Sequence, residues 1–346
     1  MQSMSATWSV SGNIPVSRGK VRHSFSGARY IRLRCPECAA NLPSITYHAL
    51  GQSHETLECH RCNYRMAQER SVWLALAESR QAHFRRFIEL YEMVRRSEGR
   101  GSDDPAFYRS LPFQDRTGRF SWQWAIRART YRHMTNRLLR VSEEQDSPSL
   151  TILDLGAGNG WLSHRLELMG HRPVAVDLQT NAFDGLGAAV HFQSSLPALF
   201  PRFQAELDRL PFADDQFDLA IFNASFHYSE NYDATLKEAI RCLRPGGRVL
   251  IADSPFYRKE ESGQLMLEER RTEFQKRFGI TGPALASCEY LTEKTLTDLS
   301  GRNGLKWKTH RVWYGLRWAT RPLVARLKRR REPSQFRIYE TQVKKP

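Results

Sequence analysis

The chain has 346 residues, an apolar content of 40% and a formal net charge of +15. That length suits one large domain with appendages. It holds no run of about 18 or more apolar residues, which excludes a transmembrane helix. The stretch from Met1 to Arg34 lacks the apolar centre and cleavage site of a secretory signal, so a cytoplasmic protein is expected.

The charge is unevenly placed. Residues 1–34 carry six Lys/Arg and no acid, and residues 301–346 carry fourteen against Glu332 and Glu340. The middle, 35–300, is close to neutral at −3. Basic flanks of this kind attract nucleic acid or an anionic membrane; the plainer reading is a solvated surface that aids solubility.

In chain order, residues 1–30 are rich in Ser, Gly and Arg and are expected to be a disordered basic tail. Residues 31–75 hold two knuckles, Cys35-Pro-Glu-Cys38 and Cys59-His-Arg-Cys62, twenty residues apart; Cys242 and Cys288 stand alone. Without an export signal, paired Cys-x-x-Cys reads as metal rather than disulfide. Four thiolates at this spacing make a closed tetrahedral site for structural zinc. His60 reads as a surface residue rather than a ligand. Residues 76–98 have helical periodicity, with Phe84, Phe87, Ile88 and Tyr91 on one face, and 121–140 read as a second amphipathic helix. Between them, the SDDP run can start a helix. Together 76–143 form a helical linker or cap, with Trp122, Trp124, Tyr131 and Phe226 as aromatic candidates for an acceptor pocket, although core packing suits most of them. The polar segment 142–149 marks a boundary.

From residue 144 to the end an α/β domain is expected. Strands are predicted at Leu150–Asp154, Pro173–Asp177, Phe203–Leu207, Phe217–Asn223 and Arg248–Asp253, with a helix from about Trp161 to Met169. Strands alternating with helices imply a parallel sheet covered on both faces. Helices near 259–278 and 292–303, a strand near 306–313, a basic helix near 316–331 and a last strand at Gln335–Val343 follow.

The strongest signal is Asp154-Leu-Gly-Ala-Gly-Asn-Gly160, between a strand and a helix. Glycines let backbone turn sharply and approach a ligand closely. The G-x-G-x-G spacing differs from the dinucleotide fingerprint, which argues against a pyrophosphate cradle. An acid at Asp154 suits a cationic ligand, and Asp177, ending the next strand, can hold ribose hydroxyls. A tight turn without a ligand is the plain alternative.

Four blocks in order resemble the class I S-adenosylmethionine (SAM) dependent methyltransferases, in the broad group that includes the quinone-biosynthesis enzymes. They are the Asp154–Gly160 loop, Asp177, Glu206-Leu-Asp-Arg-Leu-Pro-Phe212 followed by Phe217-Asp218, and Leu243-Arg-Pro-Gly-Gly247. The resemblance implies a Rossmann-like class I methyltransferase sheet, and SAM as cofactor. It implies that Asp154, Gly156, Gly158 and Gly160 line the methionine portion, Asp177 the ribose and Leu178 the adenine. The family usually has Asp where Glu206 stands; Asp208 is a second choice for that contact, with Leu207 between them. Asn223 would face the reacting methyl. Leu243–Gly247 reads as a structural turn from helix to strand.

Methyl transfer from a sulfonium needs mainly positioning and exclusion of water, and a base only for weakly acidic nucleophiles. His227, followed by Tyr228, is the candidate base, against a plainer packing role. The cysteine region resembles the zinc-ribbon activator of tRNA, ribosome and release-factor methyltransferases, here fused. It also resembles the N-terminal zinc module of ribosomal RNA guanine methyltransferases, whose second metal pair usually ends in His where this chain has Cys62. The expected acceptor is a small molecule or lipid-like compound. The alternatives are RNA or a ribosome-associated protein met through the basic flanks, and a non-catalytic SAM-binding regulator.

Overall fold

A computed structural model describes residues 30–47, 55–139, 149–280, 285–287 and 289–345. The expected basic tail, nearly all of the 142–149 boundary and Cys288 lie outside them.

Five short strands open the chain: β1 (Tyr30–Arg34), β2 (Asn41–Thr46), β3 (Thr56–Glu58), β4 (Arg65–Glu69) and β5 (Val72–Leu74). Then come α1 (Glu78–Ser97), α2 (Pro105–Ser110) and α3 (Ser121–Arg137). The SDDP run does start a helix: Asp104 caps α2 by accepting from the Ala106 N–H at 2.9 Å, and Pro105 occupies the first turn. The alternating part follows as β6 (Thr151–Leu155), α4 (Trp161–Leu168), β7 (Arg172–Asp177), β8 (Arg202–Gln204), β9 (Phe217–Asn223), α5 (Tyr232–Cys242) and β10 (Leu243–Ala252). It ends with α6 (Glu260–Phe278), α7 (Glu293–Asn303), β11 (Lys308–His310), α8 (Leu316–Ala319), α9 (Arg321–Leu327) and β12 (Ile338–Gln342).

Ten strands form one sheet in the order β11-β12-β10-β9-β6-β7-β8-β5-β4-β3. From β10 to β5 neighbours run parallel, while β12, β11, β4 and β3 are antiparallel additions. Strand order reverses at β6, which lies between β7 and β9. In open parallel sheets that switch point opens the crevice where ligands bind.

Both faces are covered, as a buried parallel sheet requires. Side chains alternate between two cores. Leu153, Val174, Val176, Ala220 and Phe222 join one; Ile152, Ala175, Leu219 and Ile221 join the other. The first is covered by α5, α7 and the cysteine region, including Ile31, Leu33 and Tyr47; the second by α2, α3 and α4. Asp218 buttresses the sheet by accepting from the Thr151 N–H at 2.7 Å and from Arg244 at 2.6 Å.

Three expectations change. The boundary drawn after residue 75 is not a break in the structure: β5 pairs in parallel with β8, Trp73 opposite Phe203. A three-residue strand carries too little periodicity to be seen alone. The third strand stops at Gln204, because the chain turns after Ala205, whose N–H still bonds Asp177 O at 3.2 Å. The basic helix is two short ones meeting at Thr320, with Pro322 in the first turn of α9, where its missing N–H is tolerated. Among the described residues no helix is long and apolar enough to cross a membrane.

Candidate functional site

At the carboxyl ends of β6, β7 and β9 a cavity opens, lined by Asp154, Gly156, Ala157, Gly158, Asp177, Leu178, Leu207 and Asn223. The glycine loop is held by backbone bonds from Gly156 and Ala157 N–H to Val176 O at 2.8 and 3.0 Å. Asp177 accepts from Gly158 N–H and Gln179 N–H, each at 2.8 Å, which fixes the carboxylate at the cavity edge. Asp154 is buried and accepts from Ser163 Oγ at 2.7 Å. Burial pushes its carboxyl up to about 7, against which the Ser163 hydrogen bond works. Burial also raises the Asp177 carboxyl from its ordinary value. Two carboxylates held out of water beside the glycine loop suit a cationic ligand.

The roof of the cavity is α1, which brings Phe87, Tyr91 and Arg95 over it; the far wall is α3, with Trp124 and Arg127. The Arg95 guanidinium is ion-paired with Asp184, and Gln179 Nε2 donates to Ile88 O at 3.1 Å, so the roof is fastened to the loop after β7. A second cavity of about 350 Å³ shares Phe87, Tyr91, Arg95 and Tyr228 with the first. Its further lining mixes apolar side chains, such as Leu90, Val94, Leu267, Phe274 and Leu285, with the charged Glu98, Arg100, Arg270, Arg271 and Glu289.

The four sulfurs of Cys35, Cys38, Cys59 and Cys62 lie within 4.8 Å of one another. Cys35–Cys62 and Cys38–Cys59 are each 3.5 Å apart, well beyond the ~2.05 Å of a disulfide. Tetrahedral thiolates about 2.3 Å from zinc stand just under 4 Å apart, so the donor set and its spacing are compatible with zinc.

Residues 153–251 match the methyltransferase domain family. This part of the chain is a class I methyltransferase domain. Malonyl-[acyl-carrier protein] O-methyltransferase of Erwinia pyrifoliae is 29% identical over 135 residues, 39% of this chain and 48% of that protein. Demethylmenaquinone methyltransferase of Mycobacterium tuberculosis is 31% identical over 125 residues, 36% of this chain and 47% of that protein. The chain spans about half the length of the curated relatives it matches. Among solved structures, magnesium protoporphyrin IX methyltransferase from Synechocystis is 16% identical, with a TM-score of 0.42, covering 73% of this chain and 93% of that one.

Within the methyltransferase domain, not every expected residue reaches the cavity. Gly160 does not line it. Its backbone is left-handed (φ +77°) and a Cβ there would meet Phe200 at 2.9 Å, so it serves the turn and the core. Glu206 and Asp208 are also absent from the lining; Ala205 and Leu207 are present. Glu206 turns toward α1 and accepts from Arg80 Nε at 2.9 Å. The extra methylene relative to Asp accompanies an ion pair with the lid helix. His227 is buried behind the wall with Nδ1 3.3 Å from Ser254 Oγ, and burial holds its ring down to about 3. Its neighbour Tyr228 is the one that lines both cavities. His227 is thus not among the residues that line either cavity, and a ring held at so low a value takes up a proton weakly. Trp124 lines the cavity, Tyr131 packs on Trp161, Phe226 stacks on Tyr232, and Trp122 is exposed under Arg317.

Sequence reading missed Arg95, Arg127, Asp184 and Gln179. Tyr91 and Phe87 were visible as an apolar stripe, but a stripe does not say which of its residues reach a cavity.

Proposed function

We propose that the chain is a SAM-dependent methyltransferase whose acceptor is a small or lipid-like molecule. The observation that carries this is the convergence of Asp154, Gly156, Gly158, Asp177 and Asn223 on one cavity at the strand-order reversal. Asp154 and the glycine loop take the methionine end of SAM and Asp177 the ribose. Leu178 and Leu207 pack on the adenine, and Asn223 faces the methyl. Bound SAM supplies the activated methyl group. The protein orients the acceptor in the adjoining cavity, where apolar side chains stand beside Arg270 and Arg271, and excludes water beneath α1. The demethylmenaquinone relative supports a lipid-like acceptor, and the malonyl-[acyl-carrier protein] relative a small acyl group presented on a carrier. In the cysteine site zinc is structural, since four thiolates leave it no open position.

The test is methyl transfer from radiolabelled SAM into a fractionated lysate, with Asp154→Ala as the control. Label in the organic or small-molecule extract, absent with the variant, is expected. Label confined to RNA or ribosomal protein overturns the acceptor class, and no label at all with SAM bound leaves a non-catalytic SAM-binding regulator.

SAM affinity should also depend on pH. Burial pushes the Asp154 carboxyl up to about 7. A raised carboxyl stabilises the fold below its ordinary range, and that stabilisation is lost as pH rises through the folded value. A sulfonium ligand favours the ionised form. SAM should therefore bind about ten-fold more tightly at pH 7.5 than at about pH 5.5. Calorimetric titration checks this; a flat profile in the parent protein, or an unaltered slope in Asp154→Asn, overturns the assignment of Asp154.

A further inference from the structure

Residues 313–331 hold seven Lys/Arg and no acid. Neither α8 nor α9 within them has a buried residue. Of the twelve exposed large apolar side chains among the described residues, five fall here: Trp313, Leu316, Leu323, Val324 and Leu327. Leu316 and Leu327 are 75% and 76% exposed, which is more than any other in that set.

This is not a loose tail. The inner side of the segment is pinned to the protein. Tyr314 is buried, with its hydroxyl 2.8 Å from Thr130 Oγ1 on α3. Trp318 packs on Tyr314 and Phe336, each with ring centroids 5.0 Å apart. Arg321 stacks over Trp318 and donates to Ser334 O at 2.6 Å. The anchored aromatics thus hold the aliphatic side chains out in water.

The cations divide the same way. Arg331 is paired with Glu269 and Arg317 lies over Trp122, whereas Arg326, Lys328, Arg329 and Arg330 have no ion-pair partner among the described residues. An outward surface that interleaves free cations with aliphatic side chains has two needs. Its charges seek an anionic plane, and its leucines seek an apolar layer just beneath it. The headgroup–acyl boundary of an anionic bilayer meets both. RNA meets only the first, because bases stack on flat aromatic or guanidinium groups and leave aliphatic side chains in water.

We propose that the α8–α9 surface seats this protein on an anionic lipid membrane, with Leu316, Leu323 and Leu327 entering the interface. The proposal does not depend on the methyl-transfer reading. If both hold, the membrane contact is tied through Tyr314 and Thr130 to α3, the helix that walls the first cavity with Trp124 and Arg127.

The experiment is co-sedimentation of the full chain with vesicles of phosphatidylcholine alone and of phosphatidylcholine mixed with phosphatidylglycerol. Binding is expected only to the anionic vesicles, weakening as salt rises. Leu323→Glu with Leu327→Glu should lower that binding by about ten-fold or more. Arg326, Lys328, Arg329 and Arg330 all changed to Gln should also lower it and flatten its salt dependence. These side chains face water, so melting temperature and SAM affinity should stay at parent values, separating a docking defect from misfolding. No sedimentation with anionic vesicles overturns the proposal. So does binding that the leucine variant leaves intact, and so does salt-dependent binding of single-stranded RNA without any vesicle binding, which would reassign the surface to nucleic acid.

Discussion

Replacing Gly156 with Ala should reduce SAM binding by about 100-fold or more while leaving the chain folded. A Cβ at Gly156 would lie 2.2 Å from Ser225 Cβ and 2.9 Å from its Oγ, at a backbone φ of +75°. Ser225 has no room to yield, because its hydroxyl donates to Leu155 O at the end of β6 and its backbone is part of the cavity wall. The clash therefore pushes apart the two strand ends that frame the ligand. Gly170→Ala is the matched control: its φ is +83°, yet nothing lies within 4 Å of the added atom. It should cost roughly 1–2 kcal/mol of stability through strain alone and leave binding unchanged. Equilibrium binding of SAM to both variants, with thermal melts, decides the matter. Near-parent affinity in Gly156→Ala would show that the cofactor does not depend on this turn.

The second large effect concerns the thiolate site. Cys59→Ser should yield protein without stoichiometric zinc and with a melting temperature lower by about 10 °C or more. The loss should spread, because Ile31, Leu33, Tyr47 and Met66 share one core with Phe203, Phe212 and Phe217 of the sheet. It should also reach the cofactor. Glu37, inside the first knuckle, accepts from Ser79 N–H at 2.9 Å and Ser79 Oγ at 3.0 Å in the first turn of α1. Pro36 O accepts from Arg209 at 3.4 Å, on the turn next to Leu207. Removing the metal loosens both roof and floor of the cavity, so SAM affinity should fall several-fold even where the sheet survives. Metal analysis, melting and SAM titration of the same sample test this. Unoxidised protein that melts like the parent with no zinc bound refutes the structural role.

Much of this was legible in the residues. The glycine loop, Asp177 and Asn223 were found because their chemistry needs those residue types at strand ends, and strand ends are marked by apolar runs. The strand Phe217–Asn223 was placed with its observed bounds for the same reason: a buried parallel strand is continuously apolar. What escaped depended on pairing across distance. Arg95 meets Asp184 eighty-nine residues away, and Arg80 meets Glu206 across 126. A surface-looking arginine on a helix carries no local sign that its partner lies beneath it. A position after a strand end likewise does not say which way a ring turns: His227 turns toward Ser254 and is not among the residues lining either cavity.

The junction between β5 and β8 has a consequence for how the molecule is made. Trp73, already paired with Gln68 of β4, must wait for Phe203, some 130 residues later in the chain, before its strand gains its second neighbour and joins the parallel sheet. The cysteine module emerges from the ribosome before β8, and metal can gather its thiolates at once. Its outer face, however, remains unfinished until β8, some 130 residues further on, has been synthesised. Such distant pairing slows folding and leaves an apolar edge open to other chains meanwhile. Metal capture would then act as a timer, holding the strands around the thiolates in shape until β8 arrives.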